Sequence, residues 1–207
     1  MHSYEVETLK RKNWMFWLSV LSLWIFSLIS KFVDIISIWI SDVLKLPSWI
    51  TFSFSAILLF SVLWLILNNW IWKCRIVRRF LKIPNFTGHW LCEGLSQKYM
   101  ETANGEKEFP WNGDVHIDQK FDSILITLTT PSSSRSVSQM AFIQMEGNQA
   151  ILSYMYENQP NSSNSDLHIH KGFCRLIFDE KNQKATGTYY TDNHRGSSGT
   201  MQLRREK

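Results

Sequence analysis

The sequence predicts a membrane-anchored all-β protein: an N-terminal two-helix transmembrane hairpin followed by a small eight-stranded antiparallel up-and-down β-barrel. Three observations carry that expectation. Two long runs near the N-terminus contain no charged residue. Beyond residue 86 the helical period gives way to short alternating runs with turn residues between them. Charge divides at the same place. Residues 1–82 hold ten basic and four acidic side chains, whereas residues 83–207 hold twelve and fourteen. The basic excess therefore belongs to the helical half, which argues against a DNA- or RNA-binding barrel.

The first span is expected over about residues 14–33. Trp14–Ser30 is uncharged, and Phe32 and Val33 join it if Lys31 snorkels. The second is expected over 49–72, where Trp49–Trp72 is uncharged throughout. At 1.5 Å per residue it covers roughly 36 Å, against a hydrocarbon core of about 30 Å. Trp14, Trp17, Trp49, Trp70 and Trp72 sit near the span ends, as aromatic belts do. No small-residue cleavage site follows the first run, which argues against a signal peptide. Lys10, Arg11 and Lys12 precede the first span, and Lys73, Arg75, Arg78, Arg79 and Lys82 follow the second. The positive-inside rule then places both termini in the cytoplasm of a multi-pass protein.

Between the spans, residues 31–46 form an amphipathic pattern. Lys31, Asp34, Ser41, Asp42 and Lys45 share one helical face; Val33, Ile36, Trp39, Ile40, Val43 and Leu44 share the other. A connector helix lying in the outer interface is expected, serving either as a stiff link or to disturb the bilayer. Ser19, Ser22, Ser27 and Ser30 cluster on one side of the first span. Small hydroxyl residues allow close helix packing, within the hairpin or between protomers.

Residues 83–207 constitute the barrel unit, introduced by a short linker broken at Pro84. Strands are expected near 87–97, 112–119, 123–130, 135–146, 149–158, 167–179, 184–192 and 197–206. Ser, Asn, Gly and Pro mark the connections. In an up-and-down barrel alternate connections share an end. The tight connections near 120–122, 147–148 and 180–183 would close one end as a floor. The longer ones, together with the polar loops 158–166 and 193–196, would line a mouth. The linker arrives at the floor, where Gly88 and Trp90 are expected to plug the barrel.

Candidate ligand-binding residues lie toward the mouth: Thr129, Arg135, Tyr154, Tyr156, Tyr189, Tyr190 and Arg195, with Arg175 added if it faces inward. Arginine offers a planar fork for phosphate, and tyrosine offers a face for stacking a base. Other chemistry is not expected. Cys74, Cys92 and Cys174 have no metal spacing and read as reduced thiols. His168 and His170 alternate on one strand without a third ligand. Asp192, His194 and Ser197 crowd into one turn, which does not suit a catalytic relay. No enzyme, metal or cofactor is expected. A lipocalin-like barrel holding a lipid or small apolar ligand, and a ligand-free membrane assembly protein, remain as rival classes.

Two N-terminal spans joined to Ile83-Pro84-Asn85-Phe86-Thr87-Gly88-His89-Trp90 and a compact β-domain resemble the two-transmembrane β-barrel effectors of bacterial CBASS anti-phage systems. Gly187-Thr188-Tyr189-Tyr190, Arg195 and Gly199-Thr200-Met201 add to the likeness. The resemblance covers essentially the whole chain. It implies a partner nucleotidyltransferase that makes a cyclic dinucleotide, which the cytoplasmic barrel binds. It further implies homo-oligomerisation on activation, disruption of the bacterial inner membrane, and growth arrest or cell death.

Overall fold

A computed structural model of the chain describes residues 1–7, 11–43, 45, 56–98, 107–131, 134–147, 149–160, 169–179, 183–192 and 196–206. The chain divides into two compact units, Lys10–Val77 and a second made of Met1–Leu9 with Arg78–Lys207. The described N-terminal residues, 1–7, therefore fold with the barrel rather than with the helices.

The helical unit holds α1 (Arg11–Val43) and α2 (Ala56–Asn69), the latter continued by a 3₁₀ turn at Ile71–Lys73. Stretches within both are long and apolar enough to cross a membrane, Asn13–Phe32 and Ala56–Lys73, each with a most apolar window only 6% buried. Exposed Trp17, Trp24, Phe32, Ile57 and Leu65 would be costly against water and suit a lipid surface. A separate connector helix does not form. α1 runs unbroken through residues 31–43, because no proline or glycine interrupts it. Its 33 residues extend about 50 Å. Residues 46–55, including the start of the expected second span, lie outside the described residues. Ser22 is buried, Ser19 and Ser30 are half-buried and Ser27 is exposed. The Ser19, Ser22 and Ser30 hydroxyls donate to carbonyls three residues earlier in the same helix.

The barrel unit opens with β1 (His2–Val6) and continues, after the short helix α3 (Arg75–Leu81), with β2 (Gly88–Lys98), β3 (Lys107–Gln119), β4 (Ser123–Thr129), β5 (Ser134–Glu146), β6 (Gln149–Pro160), β7 (His170–Asp179), β8 (Lys184–Thr191) and β9 (Ser197–Arg205). These nine described strands form a closed ring, with β2 to β9 meeting their sequence neighbours antiparallel and β9 returning to β2. The eight strands expected from the sequence are therefore present, with one addition. β4 and β5 pair directly only near the mouth, over Thr127–Thr129 and Arg135–Val137. Toward the floor they part like a fork, and β1 fills the gap. It is antiparallel to β4 at His2 and Ser3 and parallel to β5 at Tyr4–Val6.

Alternation sets the interior. Ile117, Ile124, Ile143, Leu152, Leu176 and Leu203 point inward and are almost fully buried, while their sequence neighbours face out. On β5 a bulge between Ser138 and Met140 resets that alternation. Ser134, Ser136 and Ser138 are buried above it, and Ala141 and Ile143 below it.

The floor is sealed by the linker as well as by Trp90. Phe86 is buried against Phe178 with ring centroids 4.2 Å apart, and Trp90 meets Phe178 edge-on at 5.2 Å. The Trp90 Nε1–H donates to the Phe86 carbonyl at 3.0 Å. Gly88 starts β2 beside Arg205, whose guanidinium donates to the Thr87 carbonyl and lies 5.4 Å from the Trp90 ring. Buried Gln119 ties the pieces together. Its side-chain oxygen accepts from Phe86 N–H, and its amide donates to the Pro84 carbonyl and the Tyr4 hydroxyl oxygen.

Candidate functional site

The inner wall changes character along the barrel axis. The floor half is aliphatic and aromatic, whereas the mouth half carries Ser134, Ser136, Asn158, His170 and Ser197, all buried. Between them runs an aromatic layer of Trp111, Tyr154, Tyr156 and Tyr189.

Neighbouring glycines make room for that layer. A Cβ on Gly94 would fall 2.1 Å from the Trp111 ring, and one on Gly172 would fall 2.3 Å from the Tyr156 ring. Only glycine lets the aromatic rings lie so close against the wall. Trp111 Nε1–H donates to the Tyr189 hydroxyl at 3.1 Å, with the rings edge-on at 5.9 Å. Tyr154 and Tyr156 have ring centroids 6.2 Å apart.

Beneath this layer Tyr154 contacts the Cys174 thiol, while Cys174 Sγ lies 3.8 Å from Met201 Sδ. Burial pushes the Tyr154 hydroxyl well above its ordinary range, with Cys174 adding to the shift. Burial also pushes the Cys92 and Cys174 thiols up to about 12, a rise the Tyr154 hydrogen bond partly opposes at Cys174. These groups stay protonated at neutral pH, so they serve as neutral packing and hydrogen-bonding groups rather than nucleophiles.

At the rim, hydroxyls clasp two hairpins. Thr130 Oγ1 accepts from Ser134 N–H and donates to its carbonyl; Thr191 Oγ1 does the same with Ser197. Asn158 donates to the Ser134 and Ser136 hydroxyl oxygens at 2.9 and 2.8 Å, and its own Oδ1 is buried without a hydrogen-bond partner among the described residues. An unsatisfied buried acceptor costs about 1–3 kcal/mol. It marks a place where a ligand donor would be rewarded. The lining thus offers aromatic faces and neutral donors and acceptors, the equipment for a planar, polar heterocycle.

The structure brings Tyr154, Tyr156 and Tyr189 together on the inner wall and turns Tyr190 and Arg175 to the outer face. Tyr190 is 58% exposed on the outer face, stacked on Phe173 at 5.4 Å. Arg175 faces outward between buried Cys174 and Leu176, and its guanidinium pairs with Glu146 at 3.3 Å. The inward option for Arg175 is excluded by that alternation. Arg135 and Thr129 are exposed partners across the β4–β5 pairing at the mouth. Arg195 lies outside the described residues, as do His168 and His194.

The sequence reading did not single out Trp111, Ser134, Ser136, Asn158 or Ser197 as ligand residues, and it set His170 aside. Alternating serines at 134, 136 and 138 were the available signal.

A family model for the Cap15 cyclic dinucleotide receptor domain matches residues 81–205. The chain is also similar to CD-NTase-associated protein 15 of Yersinia aleksiciae, with 30% identity over 135 residues. That alignment covers 65% of this chain and 62% of the relative, so it spans less than two thirds of the relative's length. The family match takes in β2 to β9 and more than half of the chain. The protein therefore belongs to the Cap15 family, and its barrel is the family's cyclic dinucleotide receptor domain.

Proposed function

We propose that this protein is a CBASS anti-phage effector whose barrel mouth binds a cyclic dinucleotide and thereby clusters the membrane helices, disrupting the inner membrane and arresting or killing the cell. The mouth itself is the observation that carries the reading: stacking faces and hydroxyls above a sealed apolar floor, in a barrel of a cyclic dinucleotide receptor family. A purely apolar ligand would offer no donor to the buried Asn158 Oδ1, at a cost in affinity. We expect Arg195 to meet the phosphates, because Arg135 faces outward between buried Ser134 and Ser136. No buried polar side chain among the described residues carries a fixed positive charge.

The relative's name records an association with a CD-NTase. By that relation a nucleotidyltransferase supplies the ligand here, and the protein acts as receptor rather than catalyst. Two features support a multi-pass arrangement with both termini cytoplasmic. The outer flanks of the two apolar stretches are basic, whereas the connection between them holds two Lys and two Asp. In addition, β1 ends and β2 begins at the same end of one barrel, which requires an even number of crossings between them.

The test is dye release from vesicles holding the full chain. Release on addition of a cyclic dinucleotide, and none with its linear counterpart, is expected. Release without ligand, or ligand binding without release, would contradict the proposal.

A further inference from the structure

β1 stands apart from the other strands of its barrel. Its covalent path to β2 runs through the whole helical unit, so strand pairing and side-chain contacts, not the chain itself, hold it between β4 and β5. It lies outside the residues that match the receptor family. The β4–β5 pairing near the mouth also keeps that hairpin joined without it.

We propose that the fork between β4 and β5 is an exchange site between copies of this chain: on assembly, β1 of one copy fills the fork of its neighbour. This deepens the function proposed above and takes ligand binding at the mouth as its trigger.

Three observations point the same way. First, the fork needs an occupant. Tyr4 and Val6 are 1% and 6% exposed within the core, and an empty fork would leave two strand edges and an apolar slot open. A second copy carries the matching strand, and confinement to one membrane raises its effective concentration.

Second, the seat of β1 touches the ligand layer. His2 Nδ1 bonds the Ser3 carbonyl, so in the neutral ring Nε2 accepts from the Ser138 hydroxyl at 2.7 Å. Ser138 also accepts from Ile126 N–H at 2.9 Å, and it faces Tyr156 across the β5–β6 pairing. A ligand that moves Tyr156 or β5 acts directly on the bond that seats β1.

Third, the reach is short. Residues 7–10 join β1 to α1 and span at most about 14 Å. A neighbour's strand therefore arrives only with its helix close by. Donation from each copy to the next is a heterologous contact, which extends open-endedly unless it closes into a ring.

Cross-linking tests this on the full chain. Ser3 and Ser123 are Cα partners, and exposed Cys74 is first replaced by serine. A Ser3→Cys/Ser123→Cys double variant should cross-link within one chain at rest, which also reports that the fold is intact. Ser3→Cys and Ser123→Cys single variants carrying tags of different size are then reconstituted together. Mixed covalent dimers on adding cyclic dinucleotide are expected, and the internally locked double variant should bind ligand yet fail to assemble. Assembly with no mixed dimer, or full assembly of the locked variant, overturns strand exchange and leaves the sensor reading standing. Equal mixed dimers without ligand overturn it as a triggered step. No assembly with any cyclic dinucleotide overturns both.

Discussion

Tyr189 and Tyr190 are adjacent in sequence and lie on opposite faces of β8, one in the aromatic layer and one in solvent. The same single step separates Cys174, inside, from Arg175, outside. Placement therefore decides which tyrosines can meet a ligand. Stacking of a base on an aromatic side chain contributes about 1–3 kcal/mol. Tyr156→Leu is accordingly expected to weaken cyclic dinucleotide binding roughly 5- to 150-fold, while Tyr190→Leu leaves it within about twofold; calorimetry on both variants checks this. Arg195→Ala is expected to weaken binding without lowering the unfolding midpoint, and unchanged affinity would remove Arg195 from the site.

The buried thiols give a pH signature. Cys92 and Cys174 have an ordinary pKa of 9.0 and are pushed up to about 12 in the folded barrel, chiefly by burial. Between those values the folded state holds more protons than the unfolded one. Their contribution to stability is thus complete below pH 9 and declines as pH rises toward 12. Denaturant midpoints should fall over that window, less steeply for a Cys92→Ala/Cys174→Ala variant. Iodoacetamide at about pH 8.5 should modify exposed Cys74 and spare the other two until unfolding.

At the scale of elements, the barrel was readable because alternation and turn chemistry agreed. Gly147 at a tight hairpin, Pro131 in a longer connection and the runs between them placed eight strands, the largest miss being β3, which begins at Lys107 rather than 112. What escaped has physical causes. β1 is a five-residue strand with only Tyr4 and Val6 as apolar alternation, and it gains its partners from residues more than a hundred positions away. Local pattern cannot report such pairing. The serines of the mouth look like a solvent face until the bulge between Ser138 and Met140 is known. Phe86 read as linker because its burial depends on Phe178. Helix α1 read as two pieces because its polarity changes at Lys31, although its backbone has no reason to stop there. If β1 is integral at rest, Tyr4→Ala should cost the barrel about 3 kcal/mol, in the range of large aromatic truncations. Thermal unfolding monitored by tryptophan fluorescence measures this. A negligible loss would show that the fork closes without it.

At the scale of the whole molecule, both chain segments that leave the barrel for the helical unit do so at its floor, where Gln119 bonds Tyr4 of one and Pro84 and Phe86 of the other. Mouth and floor are thus opposite ends of one closed sheet. Because β1 belongs to the barrel, binding studies need the full chain rather than residues 83–207. The most direct test is calorimetry of the full chain, reconstituted in lipid discs, against a panel of cyclic dinucleotides with linear dinucleotides and fatty acids as controls. Saturable binding of a cyclic dinucleotide, weakened by Tyr156→Leu and absent for the linear form, is the predicted result. Silence across the cyclic panel from folded protein, or binding of fatty acid alone, would contradict the assignment of the mouth as a cyclic dinucleotide site.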